Sequence, residues 1–281
     1  MEDGDDLYRN ANHSNRFFDY SRQFLETKIV KILTIEAGDS KLPLFISAAA
    51  AKMKPKPEAI STMTIDLERF NVPAFKKDIF HLAPDTIILD PPHWEPNLIK
   101  WGALLAETLR HVDISNGRLI LVSSVDVLGD AQLRTEGAVE TPFSDRGVFL
   151  QSSEALIESS TSRHYIMWFP YTTESTFARA WTSEIKPVIG NNNEIFTLIN
   201  LEDMADSILG QAETGWFGKF HITPNDFLTL YDLIKMQWSQ TKRIPDHSLA
   251  SKYNWKVAKS KDVWDKLVKE MKVCEAFKTS V

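Results

Sequence analysis

Residues 85–129 read "DTIILDPPHWEPNLIKWGALLAETLRHVDISNGRLILVSSVDVLG". The run Asp85–Asp90 is short, rich in Ile and closed by two prolines, so it reads as a buried strand. The run "NLIKWGALLAETLRHV" places its apolar residues at helical spacing. The run "GRLILVSSVDVLG" is again apolar and strand-like. A strand, a helix and a strand in this order make a βαβ unit, and such units build a parallel sheet covered by helices.

The same alternation continues outward. Upstream, "KIVKILTIEA" (28–37) and "TMTIDL" (62–67) read as strands, and "PAFKKDIFHLA" (73–83) as a helix that starts at Pro73. Between those strands, "AAAAKMKPKPEA" reads as a surface insertion around Pro55 and Pro57. A further helix is expected over "NRFFDYSRQFLE" (15–26), capped by Asn12 or Ser14.

Downstream, "GVFLQSSEALIES" (147–159) reads as a helix and "HYIMWFPYT" (164–172) as a strand. The last third changes character. "EIFTLINLEDMADSILGQA" is a short strand leading into a helix, and "GKFHITPNDFLTLYDLIKMQW" repeats that plan with Thr223 or Asn225 as the cap. The tail "SKDVWDKLVKEMK" is an amphipathic helix. The expected fold class is α/β: a doubly wound, mainly parallel sheet in residues 1–172, with a smaller C-terminal α/β lobe in residues 173–281.

Composition narrows the function classes. The chain has 281 residues, 43% hydrophobic and 25% charged, as in ordinary globular proteins. Lys plus Arg number 32 and Asp plus Glu 38, a net charge of −6 that speaks against a broad nucleic-acid footprint. The single cysteine, Cys274, allows no intrachain disulfide and fits a reducing compartment. The acidic start "MEDGDD" lacks the basic and apolar regions of a signal peptide, and no apolar run is long enough to cross a bilayer. A cytoplasmic or nuclear location without membrane contact is the expectation.

Four stretches resemble the extended short-chain dehydrogenase/reductase family of sugar-nucleotide epimerases and dTDP-rhamnose-type reductases. That family also includes the regulatory beta subunit of methionine adenosyltransferase. The stretches are "DLERFNVPAFKKDIFHLAPDTIILD", "LILVSSVDVLGD", "EGAVETPFSDRGVFLQSSEALIE" and "IFTLINLEDMADSIL". The resemblance implies a Rossmann-like NAD(P)-binding fold. It also implies a catalytic Tyr and Lys in a Tyr-x-x-Ser-Lys helix, a Ser or Thr at the end of the fifth strand, and a glycine-rich turn for the pyrophosphate.

Placed residue by residue, the implied chemistry is degraded. Laying Tyr-x-x-Ser-Lys on "LQSSE" keeps Ser153 but sets Leu150 at the Tyr and Glu154 at the Lys. A phenol with a free pKa of about 10 needs a cation beside it to work near neutrality. Leu150 carries no proton, and Glu154 reverses the charge. Ser124 stands at the Ser/Thr position and alone supplies no acid. The glycine turn falls best on "NANHSNR", giving Asn10, His13 and Arg16 at the glycine positions, although Arg16 could pair with a phosphate. Pro91 and Pro92 replace the small residues that pass beneath the cofactor and remove two backbone donors.

The expectation is therefore a non-catalytic pseudoenzyme that needs no NAD(P) and serves a protein partner, or a second copy of itself, as a binding, scaffold or regulatory subunit. The competing classes are an active NAD(P)-dependent reductase or epimerase with atypical residues, for which Tyr165 or Tyr171 is the candidate phenol, and a nucleotide-sensing regulator. His81, His93, His111, His164 and His221 lack metal-ligand spacing, so no metal is expected. The end "TSV" (Thr279, Ser280, Val281) fits a carboxylate that a PDZ groove captures by strand addition.

Overall fold

The computed structural model describes residues 31–38, 40–92, 97–128, 140–142, 144–160, 163–172, 195–214, 217–222 and 228–229. The expected helices at 15–26 and 260–272 lie outside them, as does the helix expected after Thr223.

Six parallel strands form the main sheet in the order β2-β1-β3-β4-β5-β9. They are β1 (Lys31–Glu36), β2 (Ala59–Thr64), β3 (Thr86–Asp90), β4 (Arg118–Ser124), β5 (His164–Phe169) and β9 (Gly218–His221). Two small pairings accompany it. β6 (Tyr171–Thr172) runs parallel to β8 (Leu198–Ile199), and β7 (Ile195–Phe196) antiparallel to β10 (Leu228–Thr229).

Among the described residues, five helices connect these strands: α1 (Leu42–Ala50), α2 (Val72–Leu82), α3 (Leu98–Ser115), α4 (Asp145–Glu158) and α5 (Leu201–Thr214). Side chains alternate along each strand and so divide the core into two layers. One layer joins Leu33, Ile35, Ile87, Leu89, Leu119 and Leu121 to α2, α3 and α4. The other joins Ile32, Ile88, Ile120, Tyr165 and Met167 to α1 and α5. Helices on both faces of a parallel sheet make the doubly wound architecture.

The helix starts follow from their caps. Asn71 and Asn97 accept from the N–H groups of Ala74 and Lys100, at 3.0 and 3.2 Å. Ser144 Oγ accepts from Gly147 N–H at 3.0 Å, and Asn200 Oδ1 from Asp203 N–H at 2.7 Å. Each satisfies an orphan donor of a first turn. Gly147 also sets the seating of α4: a Cβ there would lie 2.5 Å from the Asp126 carbonyl oxygen.

One expectation changes. The "insertion" at 48–59 begins inside α1, which the sequence reading lacks altogether. Lys41 occupies the N-cap of α1 without a side-chain cap, so the usual start signal is missing. The irregular part is only 51–58. The sixth strand and α5 come from beyond residue 172, in the stretch read as alternating strand and helix. Both pack into the main sheet and its core.

Candidate functional site

In an open α/β sheet, ligands bind outside the carboxyl ends of the strands where the strand order reverses. The chain runs from β1 outward to β2, then returns to β3 on the other side of β1. The switch point therefore lies between β1 and β3, and their last residues are Glu36 and Asp90. These two are partners in register, and Ala37 N–H donates to Asp90 O at 3.1 Å. By strand alternation both side chains share the face of Ile32 and Ile88, under α1.

Both acids are buried, 6% and 3% exposed. Glu36 Oε1 accepts from Ser40 N–H and Oε2 from Thr64 Oγ1, each at 3.1 Å. Asp90 is pushed up to about 7, mainly by burial, with Glu36 adding to the rise and a Ser40 hydrogen bond and Arg146 opposing it. Asp90 Oδ2 has no hydrogen-bond partner among the described residues.

The first strand-to-helix turn of the described sheet is "EAGDSKL" (36–42), with one glycine, Gly38. Asn10, His13 and Arg16 lie outside the described residues. The sequence reading looked for three spaced glycine positions and so passed over a Glu closing an apolar strand. A pyrophosphate in this crevice would meet two carboxylates and find the Ser40 N–H already taken. These residues do not fit it. Pro91 and Pro92, both buried, follow Asp90 directly and supply no N–H.

The second half of the site lies where β4 ends against α4. Ser124 Oγ accepts from Asp126 N–H at 3.2 Å, closing the 3-10 turn Val125–Leu128. Leu150 is fully buried in the apolar core that also holds Trp101, Val127, Leu128 and Phe149. Ser153 Oγ accepts from Trp101 Nε1 at 2.9 Å and donates to Phe149 O at 3.0 Å.

Glu154 is also fully buried. Its Oε1 accepts from Ser123 Oγ and from Trp168 Nε1, the latter at 2.9 Å. Its Oε2 lies 3.3 Å from Lys219 Nζ on β9, an ion pair without hydrogen-bond geometry. Burial pushes Glu154 up to about 7, against the hydrogen bonds from Ser123 and Trp168 and the charge of Lys219.

Lys219 also pairs with Glu140, and with Glu158 at 3.1 Å, and lies 5.5 Å from the centre of the Trp168 ring. Burial works against its charge, yet the carboxylates more than offset this and raise its pKa. The sequence reading missed Lys219 and Trp168. A lysine in the otherwise apolar strand "GKFHI" was the available signal.

The remaining candidates fall elsewhere. Tyr165 sits on the opposite face of the sheet from α4, packed against Phe217 and Phe220, and burial raises its pKa. The Tyr171 side chain, His93 and Thr279–Val281 are outside what the structure describes. Among the described residues, no group of three or more His, Cys, Asp or Glu side chains is placed to hold a metal ion. No described helix is long and apolar enough to cross a membrane.

No family model matches the chain, and no curated protein matches it. Solved structures do. An L-threonine dehydrogenase from Phytophthora infestans superposes with a TM-score of 0.65 at 10% identity, covering 86% of this chain and 99% of that one. A dTDP-4-dehydrorhamnose reductase ortholog from Clostridium acetobutylicum gives 0.63 at 13%, covering 86% and 99%. A dTDP-glucose 4,6-dehydratase from Bacillus anthracis, in complex with NAD, gives 0.65 at 10%, covering 85% and 96%. At these identities the likeness establishes the fold.

Proposed function

We propose that this chain, which is built on the extended short-chain dehydrogenase/reductase fold, is a non-catalytic subunit that acts by binding a protein partner. The observation that carries the reading is Glu154. In the register read from the sequence, this buried carboxyl, gripped by Ser123, Trp168 and Lys219, stands where the resemblance implies an ammonium that activates a phenol. Leu150 occupies the place of the phenol itself and belongs to the core. Neutral or ionised, a carboxyl there does not supply the positive charge that lowers a neighbouring phenol's pKa, so even a restored hydroxyl would lack that activator. No NAD(P) requirement is part of the same reading, supported by the acidic switch point.

A binding role draws support from the surface. Ile99 and Ile114 on α3, with Val148 and Leu156 on α4, are 85, 74, 49 and 41% exposed, and the two helices are neighbours. These side chains are the surface on which the binding reading draws, and its test is their replacement.

The test has two arms. Purified chain is mixed with NADPH or NADH and a panel of ketoacids and 4-keto sugar nucleotides, and absorbance of the reduced nicotinamide is followed. The expected outcome is no turnover above buffer; turnover that Ser124→Ala abolishes would defeat the proposal. In the second arm, affinity isolation from the native source compares the wild type with Ile99→Glu/Leu156→Glu. A stoichiometric protein lost with the double variant is expected; identical recoveries count against the binding role.

A further inference from the structure

Helix α1 starts beside the carboxyl end of β1, and its N-cap residue, Lys41, offers no side-chain acceptor. The donors at this end are met from within the chain. Leu42 N–H donates to Ser40 Oγ and Ser40 N–H to Glu36 Oε1, both at 3.1 Å. The other carboxylate oxygen of Glu36 is fixed by Thr64 on the neighbouring strand. Glu36 is thus anchored from two sides, and it is buried.

Free backbone donors and the positive end of a helix dipole, placed at a switch point, are what make this part of a doubly wound fold an anion site. We propose that Glu36 is an internal anion in that site: its carboxylate takes the Ser40 N–H, a donor that a dinucleotide phosphate would use, and thereby shuts phosphate ligands out. The inference rests on the non-enzymatic reading and deepens it, because it assigns the exclusion of cofactor to one side chain.

Tethering favours the internal anion. A carboxylate held in place by the fold loses no translational freedom on binding, whereas a diffusing phosphate does. Asp90, in register beside Glu36, adds a second acid to the crevice. Lys41 belongs to the same turn but is solvent-exposed, where its charge is screened.

The experiment titrates ADP and NADH, by calorimetry and by fluorescence, into the full-length wild type, Glu36→Gly, Glu36→Gln and Asp90→Asn. No saturable binding to millimolar concentrations is expected for the wild type. Glu36→Gly should bind both ligands about tenfold tighter or more, as one or two recovered charge-assisted hydrogen bonds would give. Glu36→Gln keeps an acceptor for Ser40 and removes the charge, so a smaller gain is expected; it carries the test if the glycine variant does not fold. Asp90→Asn should gain least. Both Glu36 variants folded by circular dichroism yet binding no better than wild type would overturn the role of Glu36 and leave the proposed function standing. Saturable binding by the wild type would overturn the role of Glu36 directly, whereas hydride transfer by the wild type is the result that defeats the proposed function.

Discussion

Two buried acids, Glu154 and Asp90, stand at the working end of the sheet with pKa values pushed to the same region, about 7, yet their neighbours differ. Glu154 has two hydrogen-bond donors and a lysine. Asp90 has another acid, Glu36, beside it, with a Ser40 hydrogen bond and the charge of Arg146 opposing the rise; each of the two acids keeps one oxygen without a hydrogen-bond partner among the described residues. Burial sets the shift in both; the neighbours set the consequence. With Lys219, Glu154 becomes a tie joining α4, β4, β5 and β9. Side by side, Asp90 and Glu36 set two acids at the crevice where this architecture takes ligands.

The largest effect that can break this contrast is expected at Lys219. Removing one partner of a buried ion pair costs about 3–5 kcal/mol, because the remaining charge stays buried. Lys219→Met should fall near the lower end, since its side chain is 18% exposed. A loss below about 1 kcal/mol in denaturant unfolding would place the pair with weak surface bridges. Adding Glu154→Gln should recover much of the loss, as a double-mutant cycle would report.

The pH dependence follows from the directions in which the two acids move. Both have folded-state values raised above their ordinary 3.8 and 4.5. Their contribution is therefore fully present below about pH 4 and is lost as pH rises through about 7. Stability should fall by a few kcal/mol between about pH 4.5 and 8, since each acid loses at most about 1.4 kcal/mol for every pH unit separating its unfolded and folded values. Asp90→Asn and Glu154→Gln should each flatten that slope in chemical denaturation. A slope of the opposite sign would mean that both carboxylates are charged and paired in the folded protein.

Smaller effects concern the seat of α4. Gly147→Ala forces a Cβ against the Asp126 carbonyl and should destabilise by about 1–3 kcal/mol, as overpacking does. Ser124→Ala removes only the bond closing the 3-10 turn and should cost about 0.5–1.5 kcal/mol. Thermal melts of the two variants order these effects; an equal or larger cost at Ser124 would reassign the support of α4.

The sequence disclosed most where local signals agreed. β3, α3, β4 and α4 carry apolar runs and spacing of the right period, and the caps Asn97 and Ser144 found in the structure agree with them. That spacing fixes the register that sets Leu150 and Glu154 one turn apart. Helix α1 escaped because Lys41 is no cap and its alanines read as an insertion. The grip on Glu154 was also invisible, since Lys219 and Trp168 reach it only through the strand order β4-β5-β9. Glu36 shows the same limit. Which turn faces the switch point is a property of the sheet, not of any local pattern.

The charge state of Glu154 is the most direct test of the account. In carbon-13 NMR of protein labelled at the Glu side-chain carboxyls, one resonance should titrate near pH 7 and vanish in Glu154→Gln. If every Glu resonance instead titrates near 4–5 and the variant removes an ordinary one, Glu154 behaves as a solvated carboxylate, and the enclosed tie between α4, β4, β5 and β9 described here is contradicted.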